Sequence, residues 1–369
     1  MIRLFCCGDI LNSKGVDNFI GPQLLDIING CDFVIGNLEG VERSNNNASG
    51  LTQGKGTLSY LKSVGFNLLL LANNHITDAG YDSFLHTKET IGQLGMYHVG
   101  ANTSWDDAYA PLIVTVKNKK IAILNYCEAQ VGHYAKKNQK FGYAWIGGVD
   151  ILKVIDGVKR KVDYVIVCVH MGLEHYDIPI PEVRALYKEM CDAGASCIIG
   201  GHTHTAQGFE YYKNSIIVYS LGNFFFPVNI KWPDEAKSYS VVLELEDDRI
   251  NITTVHHINT GAQTNLLQGA VNNDVLNTKL GNDYYKLYDN VLNQAYNSLC
   301  HRLLIESTCG QDSKDSFKTV IRKAFHYLFL RKKYVIDNME YREKTLLRLF
   351  ENETYRYIIT RYLKNLYYQ

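Results

Sequence analysis

The chain is 369 residues long, enough for one large α/β core and a smaller appended part, and its formal net charge is zero. That balance gives no reason to expect nucleic acid or an anionic membrane as a partner. The sign is uneven along the chain, however: residues 1–264 carry about five net negative charges and residues 265–369 about five net positive, which predicts two differently built parts divided at 264/265.

Met1 leads straight into Ile2-Arg3-Leu4-Phe5-Cys6-Cys7-Gly8-Asp9, a first strand that leaves no room for a signal peptide. No apolar stretch approaches membrane-spanning length, so no transmembrane segment is expected. The nine cysteines are scattered, mostly within apolar runs and without knuckle spacing, and predict reduced thiols in a cytoplasmic protein. Apolar β-type runs near 2–7, 32–36, 67–72, 121–126, 163–169 and 196–200 alternate with amphipathic segments near 22–29, 57–64, 81–94, 149–160 and 181–193. This alternation predicts a sheet covered by helices, with function collecting at the carboxyl ends of the strands. The stretch 43–56, rich in Asn, Ser and Gly, reads as a flexible loop whose Arg43 and Lys55 face either solvent or an anionic substrate. After residue 205, segments 209–212, 215–219, 239–245 and 249–256 read as antiparallel strands of a second sheet packed on the first. From about 272 the pattern is helical. Leu346, Leu347, Leu349 and Phe350, then Ile358, Ile359, Tyr362, Leu363 and Leu366, form apolar faces that suit a docked helical subdomain or a partner surface.

Polar clusters close the apolar runs: Gly8-Asp9, Gly36 to Gly40, Asn73 to Asp78, Val169 to Glu174, and Gly200-Gly201-His202-Thr203-His204. In an extended backbone, side chains two apart point the same way, so His202 and His204 are expected to converge. One Asp, one Glu, several Asn and four His suit one or two divalent ions held by nitrogen and oxygen, with Mn, Fe and Zn all compatible. Each residue also has a plainer role open to it. Asn73 or Asn74 could cap a helix, His170 could be an ordinary strand-end residue, and Asn223 could belong to a tight bend or touch substrate. His133, His256, His257 and His301 lie outside the pattern.

Five segments carry a family resemblance: Asn37-Leu38-Glu39-Gly40; Ala72-Asn73-Asn74-His75 with Asp78 and Gly80; His170-x-Gly172-x-Glu174; Gly201-His202-x-His204; and Tyr219-Ser220-Leu221-Gly222-Asn223-Phe224. With them the chain resembles, from Leu4 to Phe226, the CapA-type family of the metallophosphatase superfamily, named for poly-γ-glutamate capsule synthesis. The resemblance implies a double β-sandwich flanked by helices, here followed by a C-terminal helical extension. It implies that Asp9 and His204 hold a first metal, that Asn74, His170 and His202 hold a second, and that Glu39 bridges, with Asn37 the other candidate ligand. His75 matches the non-ligand histidine that assists the leaving group, and Glu174 and Asp78 are placed to orient ligand imidazoles. Many relatives in the superfamily have a His two residues after the first Asp. This chain has Leu11, so the first site has a thinner shell and single-metal occupancy stays open. The activity implied is hydrolysis of a phosphate ester on an anionic small molecule or a polymer-linked substrate. The alternatives are an accessory role in capsule synthesis, with a capsule-biosynthesis protein bound through the C-terminal helices, and γ-glutamyl amide hydrolysis or transfer.

Overall fold

The apolar runs of the first 260 residues pair into two sheets. In the computed structural model the described residues are 1–44, 50–130, 132–134, 137–227, 233–247, 249–267, 273–297 and 352–367. The eight-stranded sheet runs in the order Thr264–Leu266, Arg249–Asn259, Lys237–Glu246, Ile2–Ile10, Phe33–Leu38, Leu68–Leu70, Tyr97–Val99, with Asn223–Phe225 paired to the end of Ile2–Ile10. The six-stranded sheet runs Phe209–Tyr212, Ser215–Val218, Cys197–Gly201, Tyr164–His170, Lys119–Cys127, Leu112–Val116. The six-stranded sheet is parallel at its centre and antiparallel at both margins, whereas the eight-stranded sheet is parallel from Ile2–Ile10 to Tyr97–Val99 and antiparallel from Ile2–Ile10 to Thr264–Leu266.

Strand alternation explains how the layers stack. Along the first strand, Leu4 and Cys6 point into a core shared with Ile123, Ile166, Cys197 and Val218 of the other sheet. Phe5 and Cys7 point the opposite way, into a core closed by Leu24 and Ile28 of helix Pro22–Asn29, Leu58 and Leu61 of helix Thr57–Ser63, and Phe84 and Ile91 of helix Gly80–Gln93. Helices Ile151–Lys159 and Pro181–Ala193 pack on strands Tyr164–His170 and Cys197–Gly201 of the second sheet. The result is the expected double β-sandwich flanked by helices.

The strands after residue 205 are not a second sheet of their own. Ser215–Val218 runs parallel beside Cys197–Gly201 and brings its hairpin partner Phe209–Tyr212 onto the six-stranded sheet. Lys237–Glu246 and Arg249–Asn259 extend the eight-stranded sheet, antiparallel to Ile2–Ile10. Burial decides this partition. The middle of Lys237–Glu246 is buried without alternation, which requires a central strand covered on both faces.

The chain divides into two units. The first comprises Met1–Glu128 and Gly132–Gly281 and includes helix Asn273–Thr278, where Asn277 Oδ1 accepts from Phe209 N at 2.8 Å. The second comprises Ala129–Val131 and Asn282–Gln369. Within it, helices Tyr284–Ala295 and Glu353–Tyr367 are described; Tyr296 stacks on Tyr362 with centroids 3.7 Å apart, and Glu353 Oε2 accepts from Ala129 N at 2.8 Å. Of the helical pattern expected from about 272, the part at 298–351, including Leu346 to Phe350, lies outside the described residues. Among the described residues no helix is long and apolar enough to cross a membrane, and the seven cysteines are all free thiols.

Candidate metal centre

The carboxyl ends of both sets of parallel strands meet at one place. From the eight-stranded sheet come Asp9, Asn37 with Glu39, and Asn73 to His75; from the six-stranded sheet come His170, His202 and His204. Two glycines make the meeting possible. A Cβ on Gly8 would lie 1.8 Å from Gly222 O, and one on Gly200 would lie 1.9 Å from Tyr219 O, so only glycine lets these backbones pass.

Amides fix the first group. Asn37 Nδ2 donates to Asp9 Oδ1 at 2.7 Å, while Asn73 Nδ2 donates to Asn37 Oδ1 at 3.3 Å and to Leu38 O at 2.8 Å. Asn73 Oδ1 accepts from Gly40 N and His75 N, so Asn73 ties two loops together instead of capping a helix, and the helix begins later, at Gly80. Gln53 is buried: its Nε2 donates to Ile10 O at 2.9 Å and to Glu39 O at 2.8 Å, and its Oε1 accepts from Asn12 N at 2.9 Å. The part of the 43–56 loop next to the site is therefore a clamp and not the loose loop expected, while residues 45–49 lie outside the described set. Arg43 on this loop donates from Nε to Thr52 Oγ1 at 2.6 Å. Asn125 joins the two sheets, accepting from Ala72 N at 2.8 Å and donating to Cys168 O at 3.2 Å.

Two donor groups result. Ligand atoms of Asp9, Glu39 and His204 lie within 4.8 Å of one another. Beside them, His170 Nε2 is 3.1 Å from Asn74 Oδ1 and 3.1 Å from His202 Nδ1. Asp9 and Glu39 are wholly buried, and among the described residues no hydrogen bond reaches either oxygen of Glu39 or Oδ2 of Asp9. Burial, reinforced by Asp9, pushes the Glu39 carboxyl well above its ordinary value; burial also raises Asp9, against the opposing pull of His204. Burial holds His170 well below the usual imidazole range and His202 at about 4, so both are neutral, as ligands must be. Buried carboxylates without donors are costly unless a cation faces them. The donor set therefore fits a divalent metal centre.

The two imidazoles of the Gly201-His202-Thr203-His204 segment do come together, with ring centroids 6.4 Å apart, but not through strand pleating. The strand ends at Gly201, and His202 and His204 have left-handed backbones with φ of 84° and 57°. A strand pattern cannot foresee this turn, in which Thr203, between the two histidines, lies with its hydroxyl 2.9 Å from that of Ser220. His75 stands apart from the donor groups: its Nδ1 is 2.9 Å from Asp78 Oδ2, and its Nε2 is 3.2 Å from Asn74 Nδ2 and 3.8 Å from Glu39 Oε1. Asp78 thus orients His75 and not a ligand imidazole, as had been expected. Asn223 Oδ1 lies 2.9 Å from His204 Nδ1, and Leu11 is buried and offers no donor.

Residues 3–228 match the family described as "Bacterial capsule synthesis protein PGA_cap". The chain belongs to this family. It is similar to the capsule biosynthesis protein CapA of Bacillus anthracis, at 32% identity over 264 residues, and to the PGA biosynthesis protein CapA of Bacillus subtilis, at 30% over 227 residues. These alignments cover 68% and 59% of this chain and 63% and 59% of the relatives, so the chain spans less than two thirds of the length of these two proteins. Its structure also resembles that of a 5'-nucleotidase precursor from Thermus thermophilus, with a TM-score of 0.44 and 11% identity, covering 76% of this chain and 57% of that one; this likeness is too distant to carry an argument.

Two residues of this PGA_cap site have no counterpart in the sequence reading. Glu128 is wholly buried, with Oε1 3.5 Å from His202 Nε2; Glu174 Oε1 is 3.8 Å from the same nitrogen. His175, also left-handed at φ 73°, lies nearly parallel to the His204 ring at 6.3 Å and pairs through Nδ1 with Glu235. An acid directly after a buried parallel strand was the available signal for Glu128. His175 had none beyond its place in the chain. Of the histidines outside the pattern, His257 is buried with Nε2 3.1 Å from Ser240 Oγ, His133 sits against Trp145, His256 lies 5.6 Å from the Tyr239 ring, and His301 is outside the described residues.

Proposed function

We propose that this PGA_cap protein is a metal-dependent hydrolase of phosphate esters, working on an anionic small molecule or a polymer-linked substrate of capsule or envelope metabolism. One observation carries the reading: a wholly buried Glu39 that has no hydrogen-bond donor among the described residues, set beside Asp9 and His204 and next to the group formed by Asn74, His170 and His202. Asp9, Glu39 and His204 would hold one ion, and Asn74, His170 and His202 another. Glu39 suits the shared position better than Asn37, because the Asn37 amide is already engaged by Asp9 and Asn73. One or two divalent ions of Mn, Fe or Zn bound there would supply Lewis acidity toward a phosphoryl oxygen and acidify water.

The chain's own groups supply the rest. Asp78 fixes the His75 ring through Nδ1, while Nε2 lies 3.2 Å from Asn74 Nδ2 and 3.8 Å from Glu39 Oε1; in the imidazolium form Nε2 can deliver a proton to the departing oxygen. Asn37, Asn73 and Gln53 hold the carboxylates at fixed separation, the preorganisation on which charge stabilisation depends. The names of the Bacillus relatives support the link to capsule synthesis. The C-terminal helical extension we propose to supply no ligand and to shape access to substrate or to bind a capsule-biosynthesis partner.

The test is metal analysis of the full chain followed by assay on phosphomonoesters, phosphodiesters and γ-glutamyl peptides. Chelator-sensitive turnover of a phosphoester is expected. Turnover of γ-glutamyl peptides alone would replace this reading with amide chemistry, and a metal-loaded protein inert on every class would favour the accessory role.

A further inference from the structure

Glu128 is a carboxylate that neither donor group uses, yet the topology places it directly behind one of them. Strand Lys119–Cys127 runs parallel to Tyr164–His170 with Cys127 opposite His170, and His170 is in turn opposite Gly201. Glu128, His170 and His202 therefore lie at the ends of three neighbouring strands. Glu128 N donates to His170 O at 3.1 Å, and Glu128 O accepts from the Tyr143 hydroxyl at 3.1 Å. Both are main-chain contacts that survive a change of side chain.

The side chain faces His202 from behind. Its Oε1 is 3.5 Å from Nε2, while Nδ1 of the same ring is turned toward His170 Nε2 at 3.1 Å, the nitrogen that also meets Asn74 Oδ1. Resting on the metal reading above, we propose that Glu128 is the positioning residue of the His202 side. Its carboxylate accepts from Nε2–H, which keeps the proton on that nitrogen and leaves the Nδ1 lone pair for the ion. An imidazole can present only one lone pair, and whichever nitrogen faces a fixed acceptor keeps the proton. Glu174 approaches the same nitrogen, but its side chain is 26% exposed, and water can take its place. The Glu128 side chain is fully buried, so nothing substitutes for it.

Titration of the full chain with Mn²⁺ by calorimetry, with the Co²⁺ absorption spectrum as a second readout, tests the assignment in Glu128→Gln, Glu128→Asp and Glu174→Gln. Loss of such an outer partner weakens metal binding about tenfold to hundredfold. Glu128→Gln should show that loss together with an altered Co²⁺ spectrum, Glu128→Asp should recover part of the affinity, and Glu174→Gln should lose less. In the Zn²⁺-loaded wild type, long-range proton–nitrogen spectra should place the His202 proton on Nε2, a readout that needs no variant to fold. A proton on Nδ1, or wild-type Mn²⁺ affinity in folded Glu128→Gln, overturns the role of Glu128 and leaves the metal centre standing. A wild-type chain that binds no metal overturns both.

Discussion

The two sheets contribute differently to the same centre. The eight-stranded sheet supplies oxygen donors, Asp9, Glu39 and Asn74, and holds them through side-chain amides: Asn37 on Asp9, Asn73 on two loops, Gln53 on the backbone of Ile10 and Glu39. The six-stranded sheet supplies nitrogen donors and holds them through main-chain geometry: His170 by parallel register, His202 and His204 by left-handed turns. The oxygen donors, at and just past strand ends, are held by several weak tethers. Rigid rings need only a correctly aimed backbone and a partner behind them.

The most severe way to break this comparison is to delete the nitrogen side. In His202→Ala combined with His204→Ala, metal measured by elemental analysis should fall to background in a folded protein. Wild-type stoichiometry in that double variant would mean that the oxygen side suffices and the assignment is wrong. A subtler cut separates binding from turnover at His75, which belongs to neither donor group. His75→Asn should keep its metal and lose about a hundredfold to ten-thousandfold in turnover of an alkyl phosphate, with a smaller loss on an aryl phosphate that needs less protonation. Loss of metal, or equal losses on both substrates, would assign His75 to the ligands or to structure.

The smallest effect sharpens the comparison from outside the site. Burial pushes His257, behind Phe224, down to about 3 from an ordinary 6.5. A depressed imidazole leaves the unfolded chain binding the extra proton, so stability is intact above the unfolded value and is lost as pH falls toward the folded one. From pH 6.5 to about pH 5 this residue should cost about 2 kcal/mol. Urea melts of His257→Gln should show a correspondingly shallower acid slope than wild type, and identical slopes would show that His257 is not neutral through burial.

The central parallel strands and their flanking helices were legible because short, continuously apolar runs have few alternatives. The five polar segments were legible because each directly ends or follows such a run. What escaped the sequence depended on long-range contact. Lys237–Glu246 joined the first sheet because both its faces are covered, which a strand pattern does not announce. His202 and His204 met through left-handed turns and not through pleating. Gln53, in a stretch composed like a loose loop, became a clamp because the carbonyls of Ile10 and Glu39 converge on it. Glu128 looked like any acid after a strand until the register set it beside His202.

The crossing of Gly8 and Gly222 works as a caliper. Asp9 and Asn223 are the next residues along each chain, paired in register, and Asp9 N bonds Gly222 O at 3.1 Å, so the gap between the two carriers is one backbone thickness. A single methyl inserted there, as in Gly8→Ala, would meet the Gly222 carbonyl oxygen at 1.8 Å and force the strands apart. Reacting groups displaced by about 1 Å can lose about a hundredfold in rate without any of them being changed. A position with no side chain thus sets the tolerance to which every donor around it is built.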